Sequence, residues 1–152
     1  MIDTSTRSVI STIAVGTNPA AVAVSPTGST VYVTNGGGSS VSVIDAATDS
    51  VTQTIPLGAA PGGVVVSPDG STVYVVELNG NIAVIDAATN TQVASIAVGA
   101  VPLDLAYAFS AGFEGVGERP QVFGALDAAQ PFAIHTEHPA HALGHHRRNL
   151  QR

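Results

Sequence analysis

Three features of the sequence predict an all-β fold assembled from a repeated unit. The segment GSTVYVTN at residues 28–35 returns 42 positions later, at residues 70–77, as GSTVYVVE. Apolar segments of four to seven residues alternate with turn-forming clusters, which is too short for helices and normal for strands. Charged residues make up 11% of the 152-residue chain, against roughly 25% in ordinary soluble domains. The Val, Ala, Ser, Thr and Gly that dominate instead favour strands and tight turns over charged amphipathic helices.

The repeat extends well beyond eight residues. Residues 2–34 and 44–76 share 19 identities in 33 positions, among them Ile2/Ile44, Asp3/Asp45, Gly16/Gly58, Pro19/Pro61 and Tyr32/Tyr74. A third copy begins at Ile85-Asp86, one residue early because GGGSS (36–40) is shortened to NGN (79–81). The first strand of each unit is AAVAV (20–24) or GGVVV (62–66), a continuous apolar run of the kind expected when both faces are covered, so it should lie deepest. It ends at Ser25-Pro26-Thr27-Gly28 or Ser67-Pro68-Asp69-Gly70, where Pro presets φ for a turn and Gly closes it. The second strand, TVYVT (30–34) or TVYVV (72–76), and the third, SVSVI (40–44) or NIAVI (81–85), are rich in β-branched residues. Asp45-Ala46-Ala47-Thr48-Asp49 and Asp86-Ala87-Ala88-Thr89-Asn90 then reverse the chain through short polar side chains that bond nearby backbone NH groups. The fourth strand, VTQTIPL (51–57) or QVASIAV (92–98), carries Pro56 in the first copy and is placed at the sheet's edge, where a missing donor is tolerated.

Four antiparallel strands recurring every 40–45 residues define a β-propeller blade. Complete blades are expected at about 17–57 and 59–98, within a partial propeller spanning residues 1–108. Met1-Ile2-Asp3 aligns with Val43-Ile44-Asp45, so the chain as written starts inside a third strand, as an internal start within a longer gene would give. Val101-Pro102-Leu103-Asp104-Leu105-Ala106-Tyr107 opens a further blade, but no SPDG turn or VYV strand is visible after it. All four Phe, all five His and four of the five Arg lie beyond residue 108, and residues 109–152 are expected to form an irregular, non-repeat tail, disordered or out of frame. A ring needs four to eight blades, so this chain does not close one, and its uncovered blade faces predict self-association or a protein partner. Two chains approximate six blades, although a strand to share after Tyr107 is not evident.

The segments SPTGSTVYVTN, SPDGSTVYVVE, VSVIDAAT and IAVIDAAT, with Gly16, Gly58 and Gly99 each three residues before a Pro, resemble the YVTN β-propeller repeats of archaeal surface-layer proteins and bacterial exported or envelope-attached proteins. The resemblance covers residues 1 to about 108. It implies a propeller, usually of about seven blades, serving as a binding or scaffolding platform; distant relatives of the same architecture carry redox cofactors or hydrolyse lactones. Fold alone does not choose between these.

Residues 1–110 hold one basic residue, Arg7, against seven acids, and so repel phosphate backbones; nucleic acid is not expected as a partner. No apolar run reaches the roughly 18 residues that cross a bilayer, so no membrane insertion is expected, and the absence of Cys removes disulfides and thiolate sites. The repeats also lack His, Trp and Lys, which removes most bases and nucleophiles. Asp45, Asp69 and Asp86 are candidate acids, but each recurs at a turn and a turn role is favoured. Glu77, standing where the first copy has Asn35, is expected to be solvated, and Tyr32 and Tyr74 to pack between sheets. Gly36, Gly37 and Gly38 lack the Lys-Ser/Thr and helix of a phosphate loop and read as a hairpin loop; GGGSS and ELNGN are the expected partner contacts. In the tail, His138, His141 and His145 have helical i, i+3, i+7 spacing for a metal, weakened by Pro139 and Gly144, and a non-native tail is the favoured reading over a metal-binding one. The expectation is therefore a non-catalytic interaction or scaffold module of a surface or exported protein, with no catalytic, cofactor-binding or metal residues assigned. The alternatives are a fragment of a lactonase-type or redox-type propeller enzyme whose active residues lie in other blades, and a metal binder acting through the His-rich tail.

Overall fold

A computed structural model of the chain describes residues 1–99, 102–108 and 121–125. These residues form strands and no α-helix, and the strands fall into four antiparallel sheets. The first complete blade consists of β3 (Pro19–Val24), β4 (Thr30–Asn35), β5 (Ser40–Asp45) and β6 (Ser50–Pro56), paired in that order. The second consists of β7 (Pro61–Val66), β8 (Thr72–Glu77), β9 (Asn81–Asp86) and β10 (Thr91–Ala97), again in chain order. Before them β1 (Ile2–Asp3) pairs with β2 (Ser8–Val9), and after them β11 (Asp104–Ala108) pairs with β12 (Gln121–Ala125). The all-β architecture of open blades is as the repeat predicts, and β6 and β10 lie at the sheet edges.

Register explains why the repeats look alike. Thr30↔Asp45, Val31↔Ile44 and Tyr32↔Val43 in the first blade become Thr72↔Asp86, Val73↔Ile85 and Tyr74↔Val84 in the second. Gly28 and Gly70 close the β3–β4 and β7–β8 turns at φ of 74° and 73°, a left-handed conformation that Gly adopts without steric penalty.

The core lies between the two complete blades. Tyr32, Val41, Val43 and Ile55 of the first pack against Val64, Val73, Val75, Ala83 and Ile85 of the second. A smaller cluster of Val76, Ile82 and Leu105 joins the second blade to β11. Between blades, the Thr34 hydroxyl donates to the Gly62 carbonyl at 2.8 Å while accepting from the Ala21 amide.

Two expectations are corrected. The first strand of each unit is not the deepest: Val22 and Val24 of β3 are 63% and 54% exposed, whereas Ser40–Ile44 of β5 are all buried. Ala21 and Ala23 face the second blade, and the opposite side of β3 has no covering blade among the described residues. A second strand does follow Tyr107. β12 pairs along all of β11, and the register Leu105↔Gly124, Ala106↔Phe123 matches Val64↔Val75, Val65↔Tyr74 of β7 and β8. Gln121-Val122-Phe123 thereby takes the place of Thr72-Val73-Tyr74, reached through a connection of twelve residues where β3 and β4 are joined by five.

Candidate functional site

Antiparallel order sends alternate connections to opposite ends of each blade. One end carries the β3–β4 and β7–β8 turns with the β5–β6 and β9–β10 turns; the other carries the β4–β5 and β8–β9 loops with the crossing from one blade to the next. The candidate chemistry divides the same way.

At the turn end, each aspartate closes its own reversal. Asp45 Oδ1 accepts from the Ala47 and Thr48 amides at 2.8 and 2.9 Å, and Asp86 Oδ1 from the Ala88 and Thr89 amides at 3.0 and 2.8 Å. Asp3 makes the same turn with Ser5 and Thr6, which shows that β1–β2 is a third-to-fourth-strand hairpin. Asp69 accepts from the Ser67 hydroxyl and from the Ser71 amide and hydroxyl. These bonds stabilise the ionised form, the Ser67 hydroxyl most strongly, and hold the Asp69 carboxyl down to about 2. Asp45 and Asp86 are lowered chiefly by the Thr48 and Thr89 amides, and Asp3 by the Ser5 hydroxyl. The turns also place Asp49 and Asn90 at φ of 52°, a left-handed conformation that these two residue types tolerate.

At the loop end, Glu77 corrects the expectation of a solvated side chain, being 2% exposed. Its Oε1 accepts from the Gly58 and Ala59 amides at 2.9 and 3.2 Å, pinning the crossing from β6 to β7 over the end of β8. Asn35 fills the same position in the first blade and is fully buried, with Nδ2 donating to Ser40 Oγ and Ser42 Oγ at 3.2 and 3.0 Å. Gly16 lies so close to it that an added Cβ would stand 2.6 Å from Asn35 Cγ. Position 35/77 is thus a buried strut under each crossing. The signal in the sequence was the invariant spacing of Gly16 and Gly58 ahead of Pro19 and Pro61, which marks a crossing that something must hold.

The glycine loop is likewise occupied by the fold. Gly36 and Gly37 form, with Gly38, a single turn of 3-10 helix whose amides donate to the Asn18 and Thr17 carbonyls at 2.8 and 3.0 Å, leaving those two donors unavailable to a phosphate. Tyr32 is 2% exposed in the core, where burial pushes its phenol pKa up, and Tyr74 is half-buried against the second cluster. Among the described residues no three His, Asp or Glu side chains converge as a metal set. His135, His138, His141, His145 and His146 lie outside the described residues, as do residues 109–120 and 126–152 of the expected tail. No helix among the described residues is long and apolar enough to cross a membrane.

No protein-family model and no curated protein matches the chain. Solved structures do, and they are β-propeller-like proteins. Hydrazine synthase from Kuenenia stuttgartiensis superposes with a TM-score of 0.66 at 29% identity, over 81% of this chain and 38% of that one. Sqt1 from Saccharomyces cerevisiae gives 0.62 at 13% identity, over 70% of this chain and 28% of its own. AztD from Citrobacter koseri gives 0.53 at 21% identity, over 60% and 26%. The last two show the fold alone. The chain spans well under half the length of each of these structures, and what it matches is a propeller fragment.

Proposed function

We propose that the chain is a non-catalytic β-propeller module of the YVTN type, acting in protein interaction or scaffolding within a surface or exported protein. One observation carries this reading. The carboxylates and loop amides that looked available for chemistry are engaged in holding turns and blade crossings: Asp3, Asp45, Asp69 and Asp86 close their own turns, Glu77 holds a crossing, and Gly36 and Gly37 bond the backbone. Loop tips remain for recognition, with Gly37, Gly38, Leu78 and Asn79 exposed at the end where the crossings run. The repeat motifs SPTGSTVYVTN and SPDGSTVYVVE support the YVTN assignment and, through it, the surface or exported setting.

The test is hydrolysis of a panel of simple lactones by the purified chain, beside variants Asp69→Asn and Glu77→Gln. The expected result is no turnover above buffer for any of the three proteins, with both variants less stable. Turnover by the unsubstituted chain that either substitution abolishes would overturn the reading.

A further inference from the structure

Two of the five asparagines among the described residues precede a glycine, Asn35-Gly36 and Asn79-Gly80. Both pairs belong to the connection from the second strand of a blade to the third, and the fold treats them in opposite ways.

An asparagine followed by glycine can lose its side-chain amide to its own backbone. Water or hydroxide takes the proton of the next residue's amide, and that nitrogen attacks the asparagine Cγ. The Cγ–Nδ2 bond breaks, ammonia leaves, and a cyclic succinimide remains. Water then opens the ring at one carbonyl or the other, giving isoaspartate or aspartate, so the sum is one water consumed and one ammonia released. Glycine permits the attack because no Cβ hinders its nitrogen. Pro19 after Asn18 has no N–H to lose, and Ile82 and Thr91 after Asn81 and Asn90 are β-branched.

We infer that Asn79 is a site of spontaneous deamidation and that Asn35, in the same dipeptide, is protected by the fold. Asn79 is exposed at the tip of the β8–β9 hairpin, where Glu77 and Asn81 pair across the loop. Its Oδ1 accepts from the Asn81 amide at 3.2 Å, a bond that folds the side chain forward across Gly80 and draws electron density from Cγ. The Gly80 amide donates to the Glu77 carbonyl at 3.1 Å within the same turn, so freeing it breaks a bond inside the hairpin and no contact between blades.

Asn35 is fully buried, and its Nδ2 donates to the Ser40 and Ser42 hydroxyls. Gly16 packs on its side chain, and the Gly36 amide donates at 2.8 Å to the Asn18 carbonyl. Reaction there requires the crossing into the first blade to open, a larger unit than one hairpin tip. Asp69-Gly70 has the same neighbour, but its carboxylate is ionised and tied to Ser67 and Ser71, which makes it a poor target for attack.

The product sets a new carboxylate beside the exposed Leu78 in a chain whose formal charge is already −6. Isoaspartate also lengthens the hairpin backbone by an extra carbon. The inference does not depend on the scaffold reading, because the reaction needs only the hairpin and water.

The test uses the full-length chain, held in mildly alkaline buffer, sampled over days and digested with pepsin at acid pH. Mass spectrometry of the peptides reads the amide-to-acid mass gain at each asparagine. Asn79 should convert at least about tenfold faster than Asn35 in native buffer, because only Asn35 must wait for a crossing to open. In denaturant, with both pairs exposed, the two rates should converge. Equal rates in native buffer, an Asn79 that reacts only in denaturant, or a difference that persists in denaturant would each overturn the inference.

Discussion

The two sides of a single blade teach more about this chain than its two copies of a motif. Between the complete blades, Ile55, Val64, Val73 and Val75 are 0–6% exposed. On the outward sides the equivalent positions Ile96 and Val22 are 43% and 63% exposed, and Val31 and Val33 are only half-buried. The residues are the same apolar types at the same register. What differs is whether, among the described residues, a neighbouring blade lies against them. Stability in such a molecule resides in the contacts between units, each of which cannot bury its own faces alone.

The largest effect that sharpens this contrast is the pair Ile55→Ala and Ile96→Ala. Truncating Ile55 opens a cavity in the inter-blade core and should cost about 2–5 kcal/mol, read as a fall in the denaturation midpoint. Ile96→Ala should cost under about 1 kcal/mol in dilute protein. Equal costs at the two positions in dilute protein would break the comparison.

A smaller effect is expected at the buried struts. Removing the Glu77 carboxylate leaves the Gly58 and Ala59 amides without their acceptor, and Glu77→Ala should lose about 1–3 kcal/mol. Glu77→Gln keeps an acceptor oxygen and should lose less. In the first blade the strut has a different failure mode. Asn35 bonds Ser40 and Ser42 of its own sheet rather than the crossing, so the crossing is held there by close packing of Gly16 on its side chain. Hydrogen exchange at the Gly58 and Ala59 amides, faster in Glu77→Ala and unchanged by substitutions at Asn35, checks the distinction.

How much of this was legible in the sequence follows from what each feature depends on. The strands, their order and their turns are local: five-residue apolar runs, Ser-Pro-x-Gly and Asp-Ala-Ala-Thr fix them within a few neighbours. The propeller repeat is legible for the same reason, since it is those local signals at a constant interval. Glu77 was not, because a carboxylate at a strand end next to Asn79-Gly80 has the composition of an exposed loop, and its burial is imposed by a crossing that starts 19 residues earlier. Val22 looked like a deep residue because the run AAVAV reports what the strand needs, not whether a blade covers it among the described residues. β12 was hidden by its longer connection and by Phe123 and Gly124 standing where the repeat has Tyr and Val, and only the pairing register aligns them.

The smallest expected effect separates the two first-to-second-strand turns by acid. Ser67-Pro68-Asp69-Gly70 is tied by an ionised carboxylate, whereas Ser25-Pro26-Thr27-Gly28 is tied by the neutral Thr27 hydroxyl, 2.8 Å from Ser29 Oγ, at the same backbone geometry. The Asp69 carboxyl titrates at about 2 in the fold against 3.8 for a free side chain. Its folded pKa is depressed, so its contribution to stability is present above the unfolded value and is lost as pH falls from about 4 toward 2. The Gly70 amide should therefore lose exchange protection on acidification through that window relative to the Gly28 amide. Asp69→Thr should remove the difference, and Thr27→Asp should transfer the same acid sensitivity to the first blade. Parallel loss of protection at both glycines in the unsubstituted chain would show that the two turns share one acid response, governed by Asp45 and Asp86 at the same end of the blades rather than by Asp69.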